Sequence, residues 1–111
     1  MKQHRPLSCR ARQVLGLVAL ITTAGPASAN KALADKQGCL GCHAVATKLV
    51  GPAYREVADK YAGDASAAAA VAQSIRNGGV GKWGEMAMPP QKQVSEADAK
   101  KLARWILDGA K

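Results

Sequence analysis

Cys39, Cys42 and His43 stand in the run Gly38-Cys39-Leu40-Gly41-Cys42-His43. Two residues three apart share one face of a helical turn, and an imidazole directly after the second thiol lies beside them. C-x-x-C-H is the spacing by which a chain attaches a c-type haem. Each thiol reaches one vinyl group, and the histidine comes over one side of the iron as the proximal ligand. Other uses of a C-x-x-C pair fit this chain less well. A thioredoxin-like dithiol expects an α/β chain, and no alternating run is long enough for a convincing strand. Structural zinc takes four Cys or His ligands, and only three come after residue 29. A structural disulfide in a secreted domain is the strongest competitor.

A second axial ligand must come from elsewhere. His43 is the only histidine after residue 29, which excludes bis-histidine ligation within one chain. Met86 and Met88 are the soft neutral candidates, and a thioether raises the reduction potential by favouring ferrous iron. Met88 precedes Pro89-Pro90, which bias it towards an extended backbone and stiffen the chain beyond it. Met88 is therefore the preferred ligand, with Met86 or an open site as alternatives, and a packing role for either as the bland reading. Gly79-Val80-Gly81-Lys82-Trp83-Gly84 formally matches G-x-G-x-x-G, but it comes after a helix end and not a strand, which rejects a dinucleotide site. Its glycines suit a backbone lying close to a flat cofactor. Trp83 has two readings: an indole N–H given to a haem propionate, or plain packing.

These residues need elements to hold them, and a helical reading fits throughout. The pattern predicts a short helix from Lys31 to about Cys39 and a loop over Thr47–Gly51. A second helix runs from Pro52 to about Ala62, with Pro52 in the first turn. Asp64 or Ser66 caps a third, which runs through the alanines to Arg76 and stops at Gly78-Gly79. Residues 78–93 are irregular. Ser95 starts the last helix, with Ala99, Leu102, Ala103 and Ile106 as its apolar stripe and Gly109 at its end.

The first 29 residues read as a signal peptide. Lys2, Arg5, Arg10 and Arg12 precede the apolar run Val14–Ile21, and Ala27-Ser28-Ala29 gives a small-x-small cleavage site. The run is too short for a comfortable membrane span, and Cys9 precedes it, which excludes a lipoprotein; an uncleaved anchor is the alternative. Cleavage leaves a single domain, residues 30–111, with 12 basic and 8 acidic residues, a net charge of +4. Such a balance suits mild attraction to acidic protein surfaces and gives no basic stripe for nucleic acid. With no Phe, two Tyr and two Trp, so small a domain needs a staple such as a cofactor.

Taken in order, Gly38–Ala44, Val50-Gly51-Pro52-Ala53-Tyr54, Asn77-Gly78-Gly79, Trp83-Gly84 and Met88-Pro89-Pro90 resemble small bacterial class I monohaem cytochromes c. The nearest subgroup is the periplasmic donors to nitrite reductase and terminal oxidases. The resemblance implies an all-α fold of four to five short helices around one covalent haem c, acting as a periplasmic electron carrier and not an enzyme. It implies axial ligation by His43 and Met88, a Pro52 carbonyl accepting from His43 Nδ1, and Trp83 at a propionate. Its partners would be an upstream cytochrome complex and a downstream reductase or oxidase, met by a monomer with no stable membrane insertion. The first and last helices would cross near Trp105, with Leu33 or Ala34 where relatives carry a bulkier aromatic. Where relatives can place an arginine at a propionate, this chain offers Ser74 and Arg76; Gln91 stands near the Met ligand. Lys48, Lys82 and Lys92 lie on the loops and either steer docking or are ordinary solvated lysines. A haem enzyme or gas sensor with an open sixth position, and a haem-free disulfide module, are the competing functions.

Overall fold

The computed structural model describes residues 19–21 and 25–111. The basic N-terminal residues, with His4, Cys9 and most of the apolar run of the expected signal peptide, lie outside the described residues. The described chain forms four helices: α1 (Pro26–Lys36), α2 (Tyr54–Lys60), α3 (Ala67–Asn77) and α4 (Glu96–Leu107). A single 3-10 turn, Cys39–Gly41, sits between α1 and α2. The expected cut after Ala29 falls within the first turn of α1. No described helix is long and apolar enough to cross a membrane.

Helix α4 is the hub, packing against α3, α2 and α1. Its start is fixed locally: Ser95 Oγ accepts from the Asp98 backbone N–H at 3.1 Å, and Glu96 and Asp98 place negative charge at the positive end of the helix dipole. The apolar stripe is buried as its spacing predicts, and Trp105 joins it at 4% exposure. Opposite this stripe, α3 buries Val71, Ala72 and Ile75. Alanine favours the helix that carries them. Where α1 meets α4 the buried residue is Ala34, with Leu33 partly buried beside it. On the α1 side the crossing is therefore made by small and medium side chains.

The starts of α1 and α2 differ from expectation. Helix α1 runs from Pro26, a proline at its first position, to Lys36, and not from Lys31 to about Cys39, because Gly38 at φ +79° breaks it before the cysteines. Pro52 stands two residues before α2, because its carbonyl is used outside the helix. Glu56 Oε2 instead accepts from Ala53 N–H at 2.8 Å and closes that end. Ser66, one of the two expected residues, takes the N-cap position of α3 with no side-chain bond to the helix, and Asp64 holds it there. Its Oδ1 accepts from Ser66 N–H at 2.8 Å and from Ser66 Oγ at 2.7 Å, ordering the turn before the helix. These bonds hold the Asp64 carboxyl below its ordinary value, with Lys82 adding a smaller attraction.

Helix α3 ends at Gly78, whose φ of +69° a larger residue adopts only with strain. A Cβ there would also strike the Met88 carbonyl and Pro90 N. The next residue makes the one isolated bridge among the described residues: Gly79 N–H donates to Met88 O at 3.0 Å, and Met88 N–H to Gly79 O at 2.8 Å. Residues 80–87 are thereby closed off as a loop whose neck is this backbone pair.

Candidate functional site

The thiol–imidazole segment is shaped by its backbone. Cys42 N–H and His43 N–H both donate to the Cys39 carbonyl, at 3.2 and 3.0 Å. That tight turn puts Cys39, Cys42 and His43 on one wall of a cavity of about 300 Å³. Both cysteines are free; Cys39 is half-buried and Cys42 exposed. Burial pushes the Cys39 thiol above its ordinary value, against hydrogen bonds that lower it.

The His43 ring is held on several sides. Its Nδ1 lies 2.8 Å from the Pro52 carbonyl, and a carbonyl only accepts, so Nδ1 carries the proton and Nε2 keeps a free lone pair. Tyr54 stacks on the imidazole with centroids 5.3 Å apart and an interplanar angle of 15°. Gly51 presses on the ring with no side chain: a Cβ there would lie 2.8 Å from Nδ1 and 2.9 Å from Nε2. The loop delivering Gly51 and Pro52 is tied back by Gly51 N–H to Cys42 O at 2.8 Å and Tyr54 N–H to Ala44 O at 2.9 Å. Tyr54 in turn meets Trp105 edge-on at 5.4 Å, linking the imidazole to α4. Burial pushes the Tyr54 hydroxyl well above its usual value, with smaller contributions from Cys39.

The second loop lines the same cavity with Trp83, Met86 and Met88. The two methionines are not equivalent. Met88 is partly buried and anchored through its backbone to Gly79, whereas Met86 is 69% exposed. Between the loops, Val57, Val71, Ile75, Leu102 and Ile106 give an apolar floor. Among the described residues, Lys82 is the only lysine or arginine lining the cavity, and no aspartate or glutamate lines it.

Two thiols on one turn, an imidazole with Nε2 free, a thioether on the second loop and an apolar floor are the donor set and shape a c-type haem requires. The residues fit the group. Among the described residues no cluster of three or more His, Cys, Asp or Glu offers a competing metal site.

The structure brings all six sequence-predicted site residues, Cys39, Cys42, His43, Pro52, Trp83 and Met88, to this cavity. Ser74 also lines it, while Arg76 turns away and donates from Nε to the Val94 carbonyl at 3.1 Å. Gln91 lines it as well and donates to the Pro89 carbonyl at 2.9 Å, bracing the turn after Met88. Lys92 reaches Asn77 Oδ1 at 3.2 Å, and Lys48 is exposed. The backing role of Gly51 and the ring-stacking role of Tyr54 escape a residue-by-residue reading of the sequence. The Gly-Pro pair just before Tyr54 is the signal that could have found them.

A cytochrome c family model matches residues 27–110. Cytochrome c-552 of Hydrogenobacter thermophilus is 50% identical over 91 residues, covering 82% of this chain and 92% of that protein. Cytochrome c-551 of Pseudomonas aeruginosa is 52% identical over 75 residues, covering 68% and 71%. The crystal structure of wild-type cytochrome c552 from Nitrosomonas europaea superposes with a TM-score of 0.69 at 50% identity, covering 70% of this chain and 96% of that one.

Proposed function

The chain belongs to the cytochrome c family, and from that premise we propose that it is a periplasmic carrier whose haem is ligated by His43 and Met88. The family and fold are those of a class I monohaem cytochrome c, with one covalently attached haem c; such proteins carry electrons and are not enzymes.

Bound haem c supplies an iron that accepts and releases one electron. Cys39 and Cys42 would hold the porphyrin through two thioethers. His43 would present Nε2, oriented by its Nδ1–H bond to the Pro52 carbonyl, a contact that raises the basicity of the ring. Met88 would present its sulfur from the second loop, and its backbone pairing with Gly79 limits how far it moves between oxidation states. Trp83 would offer its indole N–H to a propionate. The apolar floor excludes water. The leader, residues 1–29, would direct the chain across the inner membrane and be removed, leaving residues 30–111 as a monomer. Electrons would pass from an upstream cytochrome complex to a respiratory reductase or terminal oxidase, with mild steering by exposed lysines such as Lys48.

The observation that carries this reading is the pairing of two prepared donors in one cavity: His43 with Nδ1 engaged 2.8 Å from Pro52 O, and the partly buried Met88 pinned at Gly79. The test is visible and near-infrared absorption of protein matured in a periplasm. Sharp reduced c-type bands with an oxidised sulfur-to-iron charge-transfer band are expected. Haem bands without that feature would remove Met88 as ligand and favour an open-site enzyme or sensor. Colourless protein would favour the disulfide module.

A further inference from the structure

The loop of residues 80–87 is closed at its neck by Gly79 and Met88, and its tip must be held by something else. Two consecutive residues of the tip face two consecutive residues at the end of α2. Lys60 Nζ lies 4.6 Å from the Trp83 ring centroid, and Lys82 Nζ lies 4.7 Å from that of Tyr61. Each lysine thus sits over an aromatic ring of the other segment. Hydrogen bonds cross with them: Lys60 Nζ donates to the Lys82 carbonyl at 3.1 Å, and Lys82 Nζ donates to the Tyr61 hydroxyl. Among the described residues, these two are the only hydrogen bonds from residues 80–87 to the rest of the molecule; the remaining one, Gly81 N–H to Gly84 O, is internal.

We propose that Lys60, Tyr61, Lys82 and Trp83 form a reciprocal clasp that positions the methionine loop, and that opening this clasp governs how readily the second axial ligand leaves. The inference rests on the Met88 ligation proposed above. A ligand on a loop leaves the iron only as far as the loop can move with it. Met88 stands at the foot of this loop, and its two backbone bonds to Gly79 open only if residues 80–87 swing away with it; the clasp restrains that swing. Lys60 and Lys82 are positioning residues: they act through the loop. Asp64 on the adjoining turn feels the Lys82 charge, and among the described residues neither Lys60 nor Lys82 makes an ion pair.

Exposed cation–π contacts of this kind each correspond to a change of about threefold in an equilibrium constant, and two together to about tenfold. The test uses ferric holoprotein and added imidazole, which binds iron only after the native ligand leaves. Lys60→Met/Lys82→Met is expected to raise imidazole affinity about tenfold, each single change about threefold. The charge-transfer band without imidazole should be retained. Lys100→Met, which removes a charge from the exposed face of α4, controls for net charge and should change nothing. Hydrogen exchange of the Gly79, Gly81 and Met88 amides, the hydrogen-bonded ones of the loop and its neck, is measured on the same proteins and should quicken in the double variant only there. Unchanged imidazole affinity in the double variant overturns the proposal, and so does unchanged exchange. An equal effect from Lys100→Met also overturns it, because the lysines would then act through charge alone. If wild-type protein lacks the charge-transfer band, the Met88 assignment fails on its own evidence. In that case the claim that the clasp governs ligand release falls with it, and the exchange data alone decide whether the clasp holds the loop.

Discussion

Gly51 lies against the face of the His43 imidazole, so close that a Cβ at Gly51 would stand within 3 Å of both ring nitrogens: 2.8 Å from Nδ1 and 2.9 Å from Nε2. Backbone is packed here where any side chain would displace the ring. The next residue, Pro52, supplies the carbonyl that fixes Nδ1 at 2.8 Å. One dipeptide therefore sets both where the ring sits and which nitrogen is free.

Gly51→Ala is expected to force the ring or the loop to shift. Overpacking of a fitted site costs roughly 1–3 kcal/mol, and the loss should appear as a lower denaturation midpoint of the holoprotein. Because the ring also turns from its Pro52 partner, the reduction potential should move too. A variant with wild-type midpoint and wild-type potential would show that the contact relaxes at no cost.

Met88→Ala removes the thioether of a partly buried residue whose backbone pairs with Gly79, while Met86→Ala removes that of a residue 69% exposed. Loss of a thioether ligand disfavours ferrous iron. Voltammetry of Met88→Ala should give a potential lower by at least one tenfold step in the redox equilibrium, about 59 mV for one electron. Carbon monoxide should bind its reduced form without denaturation. Met86→Ala should keep the wild-type potential within a few millivolts, and the reverse pattern would transfer the ligand role to Met86.

Much of this site is legible in the sequence because its chemistry is written in contiguous residues. The C-x-x-C-H run and Met88-Pro89-Pro90 carry the proposed donors, and Ser95 with its apolar stripe marks α4 almost to the residue. The stacking of Tyr54 on His43 and the crossing of Lys60-Tyr61 with Lys82-Trp83 are not legible there. They join segments 11 and 22 residues apart, and no local periodicity encodes which side chains a loop lays over a distant helix end. Pro52 is drawn into α2 by sequence pattern for a related reason: a proline fits a first helical turn, yet the demand of His43 for an acceptor places it outside. Ser74 and Arg76 are indistinguishable until packing turns the arginine to Val94 and leaves the serine at the cavity.

Tyr54 should make stability fall in alkali. Its hydroxyl is held above its ordinary value mainly by burial, with smaller contributions from the charge and hydrogen bond of Cys39. Thioether formation removes the charge of Cys39 and leaves the burial. A phenol titrates near pH 10 in an unfolded chain, so above that pH the unfolded state loses its proton first. The contribution is therefore complete below about pH 10 and declines as pH rises, with a limiting slope of about 1.4 kcal/mol per pH unit. Denaturant titrations of the reduced protein between pH 9 and 11 should show this decline, and Tyr54→Phe should flatten it. Equal slopes for the two proteins would assign the alkaline loss to another group.

Removing the cofactor should unfold the chain. The cavity of about 300 Å³ is bounded by Leu102 and Ile106 of α4, Val71 and Ile75 of α3 and Val57 of α2, the side chains through which the helices meet. Leaving such a volume unfilled costs up to about 7 kcal/mol, the value for a closed void at about 24 cal/mol per Å³, and the part open to solvent exposes the same apolar side chains to water. A domain of this size has a total stability of about 4–12 kcal/mol at 0.05–0.15 kcal/mol per residue, so most or all of it would be consumed. Among the described residues no disulfide compensates. Cys39→Ala/Cys42→Ala, prepared without haem, should give a poorly dispersed proton NMR spectrum and weak helical circular dichroism. A dispersed spectrum would mean that α4 and its partners hold together without the group they surround, and the cavity would then belong to a rigid receptor and not to a fold completed by its haem.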